Sequence, residues 1–374
     1  MKIIFLCGSL QPGQDGVGDY TSLLASDLLR QGHQTRIISI NDKYIKKGIK
    51  EVRYENNRAI EVLRLPSIEP WDEKMITAKD FIDEFNPDWV SLQYVPFSFN
   101  DKGLPFFLTK QIKKIVDKRP LHIMFHELWG GINNEKHIPV KARILFTLQQ
   151  ICILSFIKKI KPRLITTSIG IYKEKLGGHK AGLLPLFSNI PLTKSSTYVN
   201  DKFRVVSFGT FSADKTGLFN QLTWLKQCAS VLGKSAEFVH MGNGGPYKEQ
   251  SLKVINEVFG PDNVQDLGLL STEEISEGLY RADAGISRAD GLLWGKSGTT
   301  MAMLEHGLPI VLKGNRDLLK QHLVTLNYEP LLYFCDDLPL IPHKGEPVNA
   351  LSIIADNMIN MYSELTNNFN DNIK

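Results

Sequence analysis

Cysteine is scarce. The 374 residues hold four, Cys7, Cys152, Cys228 and Cys335, far apart and without a Cys-x-x-Cys pair. This excludes a disulfide framework and the usual zinc spacings, and scattered thiols fit a reducing compartment. There is no internal repeat, no low-complexity tract and no Asp-x-Asp pair. The apolar N-terminus, Met1 to Leu6, runs into Cys7-Gly8-Ser9 without a long h-region or a small-residue cleavage site, so it reads as a buried strand and not a signal peptide. The longest apolar stretch, Ile144 to Ile157, is interrupted by Gln149 and Gln150 and falls short of the roughly 20 residues of a membrane span. No transmembrane helix is expected. An excess of one charge is also missing overall, since the net charge is +4.

What is there suits a soluble two-domain chain, at about 150 residues per domain. Hydrophobic residues make up 43% and charged residues 22%, which rules out a disordered composition. The small net charge hides an asymmetry. Residues 1–190 carry 28 Lys/Arg against 19 Asp/Glu, and residues 191–374 carry 16 against 21. A basic first half suits anionic lipid, nucleic acid or a phosphorylated substrate, or is simply a solvated surface.

Short β-branched runs alternate with amphipathic segments. Lys2–Cys7, Thr35–Ile40, Trp89–Tyr94, His122–His126 and Leu164–Ser168 read as strands, and Thr21–Gln31 as a helix ended by Gly32. The pattern then restarts with strands at Phe203–Phe208, Ala236–Met241, Val264–Leu267, Ala284–Ser287 and Pro309–Lys313, and a helix at Leu218–Leu232. Alternation of this kind predicts an α/β fold of two doubly wound, parallel-sheet halves. The join is expected near Phe187–Tyr198, between domains 1–190 and 191–347, with a final helix over about 348–369 packing back on the first domain.

Ligands of such sheets bind beyond the carboxyl ends of the strands. The first such loop, Gly8 to Tyr20, contains Gly16 and Gly18, which permit close backbone approach, although it also reads as a plain glycine-rich turn. His126 sits at a strand end before Gly130-Gly131, placed to meet a sugar or move a proton, or to serve the core. In the second half, Ser297-Gly298-Thr299-Thr300 opens a helix after a strand. Exposed amides and small hydroxyls there suit a diphosphate, and a capped helix without a ligand is the plainer reading. Gly209 to Lys215 and Gly242-Asn243-Gly244 follow two other strands, and Lys215 offers a compact cation to phosphate.

Taken in order, Gly16-Val17-Gly18-Asp19-Tyr20-Thr21, Gly32-His33, His126, Gly209 to Lys215, Gly242-Asn243-Gly244, Leu267-Gly268, Ala282-Asp283 and Ser297-Gly298-Thr299 to Gly307-Leu308-Pro309 resemble the GT-B glycosyltransferases, group 1 (family-4-type). The resemblance covers nearly the whole chain. It implies two facing Rossmann-like domains with an interdomain cleft, an acceptor on the first and a nucleoside-diphosphate sugar on the second. It implies donor contacts at Gly16, Gly18, Gly209, Lys215, Gly242, Ser297, Gly298 and Thr299, and a histidine, His126, approaching the donor sugar. The chain departs from that pattern. Two glutamates seven residues apart are replaced by Trp294 and Ala302, and the usual arginine after Gly209 is Thr210. Arg288 or Lys296 is then expected to supply positive charge, and Asp290 or Glu305 a hydroxyl acceptor, although Glu305 reads more simply as a solvated helix residue.

The expected activity is metal-independent, retaining hexosyl transfer from a nucleotide sugar to a carbohydrate, lipid-linked or other hydroxyl acceptor, for cell-surface polysaccharide or glycoconjugate synthesis. No cofactor or nucleic acid is expected. Inversion, with His126 or Asp19 as general base, is the runner-up mechanism. A GT-B-fold epimerase and a non-catalytic nucleotide-sugar-binding subunit are the competing functions. Ile144–Ile160, running into Lys158-Lys159-Ile160-Lys161-Pro162-Arg163, reads either as a core helix with a basic end or as a basic amphipathic segment that adds at most weak peripheral contact with the inner membrane face to an expected cytoplasmic location.

Overall fold

The computed structural model describes residues 1–132, 138–193, 201–314, 316, 326–338 and 341–371. They divide into two compact units. Residues 1–168, 172–184 and 351 onward form the first, and residues 169–171 and 185–350 the second.

Strand β1 (Lys2–Cys7) is apolar on both faces because both are covered, the usual condition of a parallel strand. It is followed by α1 (Gly16–Arg30), β2 (Gln34–Asp42), the hairpin β3 (Ile49–Glu55) and β4 (Arg58–Pro66), α2 (Trp71–Phe85) and β5 (Trp89–Tyr94). Then come α3 (Leu108–Val116), β6 (Leu121–Phe125), α4 (Val140–Ile160), β7 (Leu164–Thr167), α5 (Gly170–Lys175) and β8 (Gly182–Leu183). The sheet order is β3-β4-β2-β1-β5-β6-β7-β8, parallel except for β3 against β4.

The second unit contains β9 (Phe203–Thr210), α6 (Lys215–Val231), β10 (Ala236–Gly244), α7 (Lys248–Phe259), β11 (Val264–Asp266), α8 (Thr272–Arg281), β12 (Ala284–Asp290), α9 (Gly298–Glu305), β13 (Ile310–Lys313) and β14 (Leu332–Phe334). Its sheet is parallel throughout, in the order β11-β10-β9-β12-β13-β14. Leu222, Leu225 and Cys228 of α6 pack with Val205 and Phe238 in its core.

The last helix, α10 (Ala350–Asp371), joins the first unit. It buries Ile354, Ala355, Met358 and Tyr362. The Tyr362 ring stacks on Trp89 at 4.2 Å and 7°, worth about 0.5–1.5 kcal/mol beyond the area buried. In each sheet the winding reverses at one strand: β1 lies between β2 and β5, and β9 between β10 and β12. Those are the points where a doubly wound sheet opens a crevice for ligand.

Three elements differ from the sequence reading. Helix α1 starts at Gly16, not Thr21, because Asp15 caps it by accepting from the Val17 and Gly18 amides. The hairpin β3–β4 turns through Asn56 and Asn57, both at positive φ, which asparagine tolerates. Helix α4 extends the apolar stretch to 21 residues, long and apolar enough by length and composition to cross a bilayer, against the expectation that it falls short.

Candidate functional site

At the switch point of the first sheet, the ends of β1, β2, β4 and β5 enclose a recess of about 510 Å³. Gly8, Ser9 and Asp15 line one side, Asn41, Lys43 and Ser67 another, and Trp71, Phe97, Asn100, Asp101 and Phe107 the rest. Polar hydroxyl, amide and carboxylate groups thus face aromatic rings. Trp71 and Phe107 meet at 4.9 Å. Behind Trp71, the buried Lys74 ammonium lies 3.8 Å from the ring centroid and donates to Asn41 Oδ1 at 3.0 Å. Burial lowers its pKa to about 8. Lys74 therefore fixes both the ring and the amide of this recess. It was not anticipated from sequence, because a lysine in the first turns of an amphipathic helix reads as a solvated residue.

The glycine loop is organised by carboxylates. Asp15 accepts from Ser9 Oγ at 2.5 Å besides capping α1. Asp19 accepts from the Gly13 amide, and burial, with Asp15 nearby, raises its carboxyl pKa. Gly16 and Gly18 both lie in the first turn of α1. At Gly18 a Cβ would fall 2.6 Å from the Ser9 carbonyl oxygen, so this glycine lets the helix approach its own loop. Gly16 is open, with no heavy atom within 4 Å of such a Cβ.

His126 follows β6 and is buried, edge-on to Tyr20 at 4.9 Å. Its Nε2 lies 2.9 Å from Gln93 Oε1, and Gln93 Nε2 donates to Ser91 Oγ. Ser91 Oγ and the Tyr362 hydroxyl both reach His122 Nδ1, at 2.9 and 2.8 Å, and His122 Nε2 meets Thr166 Oγ1. Burial depresses the His122 pKa to about 3, so this ring is neutral, with one nitrogen donating and the other accepting. A continuous polar chain thereby holds the His126 ring from beneath.

In the second unit, the ends of β9 and β10 meet the start of α9. Gly209 and Gly242 have φ of +93° and +119°. A Cβ on Gly242 would lie 2.9 Å from the Gly209 carbonyl oxygen, and one on Gly209 would lie 2.9 Å from Thr299 Cγ2. Glycine is required at both by conformation and by space. Ser297 caps α9 by accepting from the Thr300 amide and lies 3.0 Å from Thr299 Oγ1. The amides of Gly298 and Thr299 belong to the first turn, where the helix supplies no carbonyl partner. Arg288 donates to Thr210 Oγ1 at 2.6 Å, which brings a cation to the same strand end.

Lys215 is the first residue of α6 and is exposed. The cation packed at the strand ends is Lys313, which closes β13, donates to Ser212 Oγ at 2.8 Å and pairs with Asp214 at 3.0 Å. A lysine ending an apolar strand is the sequence signal that would have found it. Trp294 and Ala302 are both buried, and neither carries a carboxylate. Glu305 is also buried, not solvated: it accepts from the Ser188 amide at 2.5 Å, and burial pushes its pKa up to about 8. Its carboxyl group serves the backbone and is not a hydroxyl acceptor for ligand. The side chain of Asp290 lies outside the described residues.

No protein-family model matches the sequence, and no curated protein matches it. Solved structures do resemble it along its length. Sucrose-phosphate synthase from Thermosynechococcus elongatus superposes with a TM-score of 0.58 at 13% identity, covering 98% of this chain and 91% of that one. HepE of Anabaena, in complex with UDP, gives 0.55 at 14%, covering 98% and 91%. The catalytic domain of starch synthase IV from Arabidopsis thaliana, bound to ADP and acarbose, gives 0.50 at 12%, covering 97% and 92%. The chain carries the GT-B fold. In this GT-B chain the sequence-selected residues fall into two groups, each at one sheet's switch point. Gly16, Gly18, Asp19 and His126 belong to the first unit. Gly209, Gly242, Arg288, Ser297, Gly298 and Thr299 belong to the second, with Lys215 on the adjoining helix.

Proposed function

We propose that this chain transfers a hexosyl group from a nucleoside-diphosphate sugar to an acceptor hydroxyl. The observation that carries the reading is the meeting of Gly209, Gly242 and Thr299 at the switch point of the second sheet. There two strand ends without side chains face the amide-rich start of α9. Such a surface accepts a diphosphate, whose charge the first-turn amides, Arg288 and Lys313 offset. Structures of similar fold were solved with nucleoside diphosphates, UDP in HepE and ADP in starch synthase IV. The acceptor belongs in the recess of the first unit, where Trp71 and Phe107 offer faces to a sugar ring and Asn41, Asn100 and Asp101 offer hydrogen bonds.

In this reading the reaction retains configuration. The leaving phosphate takes the acceptor proton while His126, braced by Gln93, orients the sugar. The nucleotide sugar is a co-substrate and no metal or cofactor takes part. The enzyme works in the cytoplasm on a glycoconjugate or polysaccharide acceptor. A second reading has a specific basis: with Trp294 and Ala302 buried where the resembling family carries glutamates, the chain binds nucleotide sugars without turnover.

A thermal-shift panel of UDP, ADP and GDP tests binding. A ligand present at about 100 times its Kd adds about 2.7 kcal/mol to the folded state, which moves the melting temperature by several degrees. No shift with any of the three would sink the donor site. Release of the nucleoside diphosphate from the matching nucleotide sugar, at a rate EDTA leaves unchanged, is expected with acceptor present. Binding without release would establish the second reading.

A further inference from the structure

Helix α4 has two faces of opposite character. One buries Gln149, Cys152, Ile153, Phe156 and Ile157 in the first unit. Gln149 fastens it there, accepting from the Gly130 amide at 3.0 Å and donating to the Lys102 carbonyl at 2.8 Å. The other face carries Val140, Ile144, Leu148 and Ile151, which repeat at helical spacing and are 71, 57, 42 and 52% exposed. A continuous apolar stripe three turns long is not what scattered surface residues produce.

Along the helix itself the charge has one sign. Residues 138–173 contain no aspartate or glutamate. Lys141, Arg143, Lys158 and Lys159 lie on α4 itself, all exposed. Helix α3, packed beside α4, adds exposed Lys110, Lys113 and Lys114, of which Lys114 also meets Asp72 at 3.6 Å.

We infer that α4 lies in the plane of an anionic lipid bilayer. The four aliphatic side chains enter the boundary between headgroups and acyl chains, and the flanking lysines and arginine meet headgroup phosphates. The helix does not span. Spanning would strip Cys152, Ile153 and Phe156 from the core and leave the Gly130 amide and Lys102 carbonyl without Gln149. A second copy of the chain is a poorer occupant, because a two-fold interface would oppose one basic rim to another. The inference needs no nucleotide and stands apart from the transferase reading.

The test is sedimentation of the full chain with vesicles at low salt. It is expected to pellet with phosphatidylglycerol vesicles and not with phosphatidylcholine vesicles. In the double variant Ile144→Ser/Ile151→Ser, partitioning falls about tenfold or more. In Lys141→Ala and in Arg143→Ala it falls about fivefold each. These side chains are exposed, so all variants keep the wild-type melting temperature, which separates lost lipid contact from lost fold. No pelleting with phosphatidylglycerol, or equal pelleting of the double variant, overturns the inference. So does a concentration-dependent dimer that the double variant abolishes, since a second copy then covers the stripe.

Discussion

Glu305 shows how far a single residue's role depends on surroundings. In sequence it is an acid near the end of a helix; in the fold it is buried and accepts from the Ser188 backbone. Its pKa is raised to about 8, against about 4.3 for an unperturbed glutamate. Between those values the folded chain holds a proton that the unfolded chain has released. This group's contribution therefore lowers stability as pH rises through that window, and the loss is complete above pH 8. Glu305→Gln keeps a neutral acceptor for the Ser188 amide. The melting temperature of wild type relative to the variant is expected to fall between pH 5 and pH 8; parallel curves would show that Glu305 is charged in the fold. Lys74 makes the same point in the first unit, where a charged type sits buried behind Trp71.

At the scale of elements, helix starts are where stability and ligand binding meet. Ser297 caps α9, and Ser271 caps α8 in a capping box with Glu274. Replacing either serine by alanine removes an amide acceptor and is expected to cost about 1 kcal/mol. The two differ in position: Thr299 of α9 meets Gly209 itself, whereas Ser271 stands three residues beyond Gly268, which accepts from the Gly242 amide. Ser297→Ala is expected to weaken nucleoside-diphosphate binding severalfold, while Ser271→Ala lowers stability by a similar amount and leaves binding unchanged. Calorimetric titration of both variants checks this, and equal affinities would remove the Ser297 hydroxyl from the donor site. Helix α1 starts earlier than its apolar periodicity predicts for a related reason: Asp15, inside the glycine loop, is the cap that starts the helix.

At the scale of the whole molecule, the chain crosses from the first unit to the second and returns. Helix α10 completes the first unit through Tyr362, which stacks on Trp89 of β5 and hydrogen-bonds His122 of β6. Tyr362→Ala leaves a cavity while Ser91 and Thr166 still pair the two nitrogens of His122, with an expected cost of about 3–5 kcal/mol. Hydrogen exchange is expected to rise in β5 and β6 and to stay slow in β9 and β10. Equal loss of protection in both sheets would contradict the separate packing of the units.

The sequence by itself determined the alternation of apolar strands and amphipathic helices, the restart of that pattern after residue 203, and the strand ends that carry glycine and hydroxyl residues. These are local properties, set by side-chain periodicity and backbone freedom within a few residues. The tertiary structure decided which charges are buried, as with Glu305 and Lys74, and which lysine packs at the ends of the second sheet, Lys313 and not the helix-leading Lys215. It also decided that α4 keeps one apolar face open. Burial and charge pairing depend on residues distant in the chain, and the order of strands in a sheet brings those residues together without any mark in the local sequence.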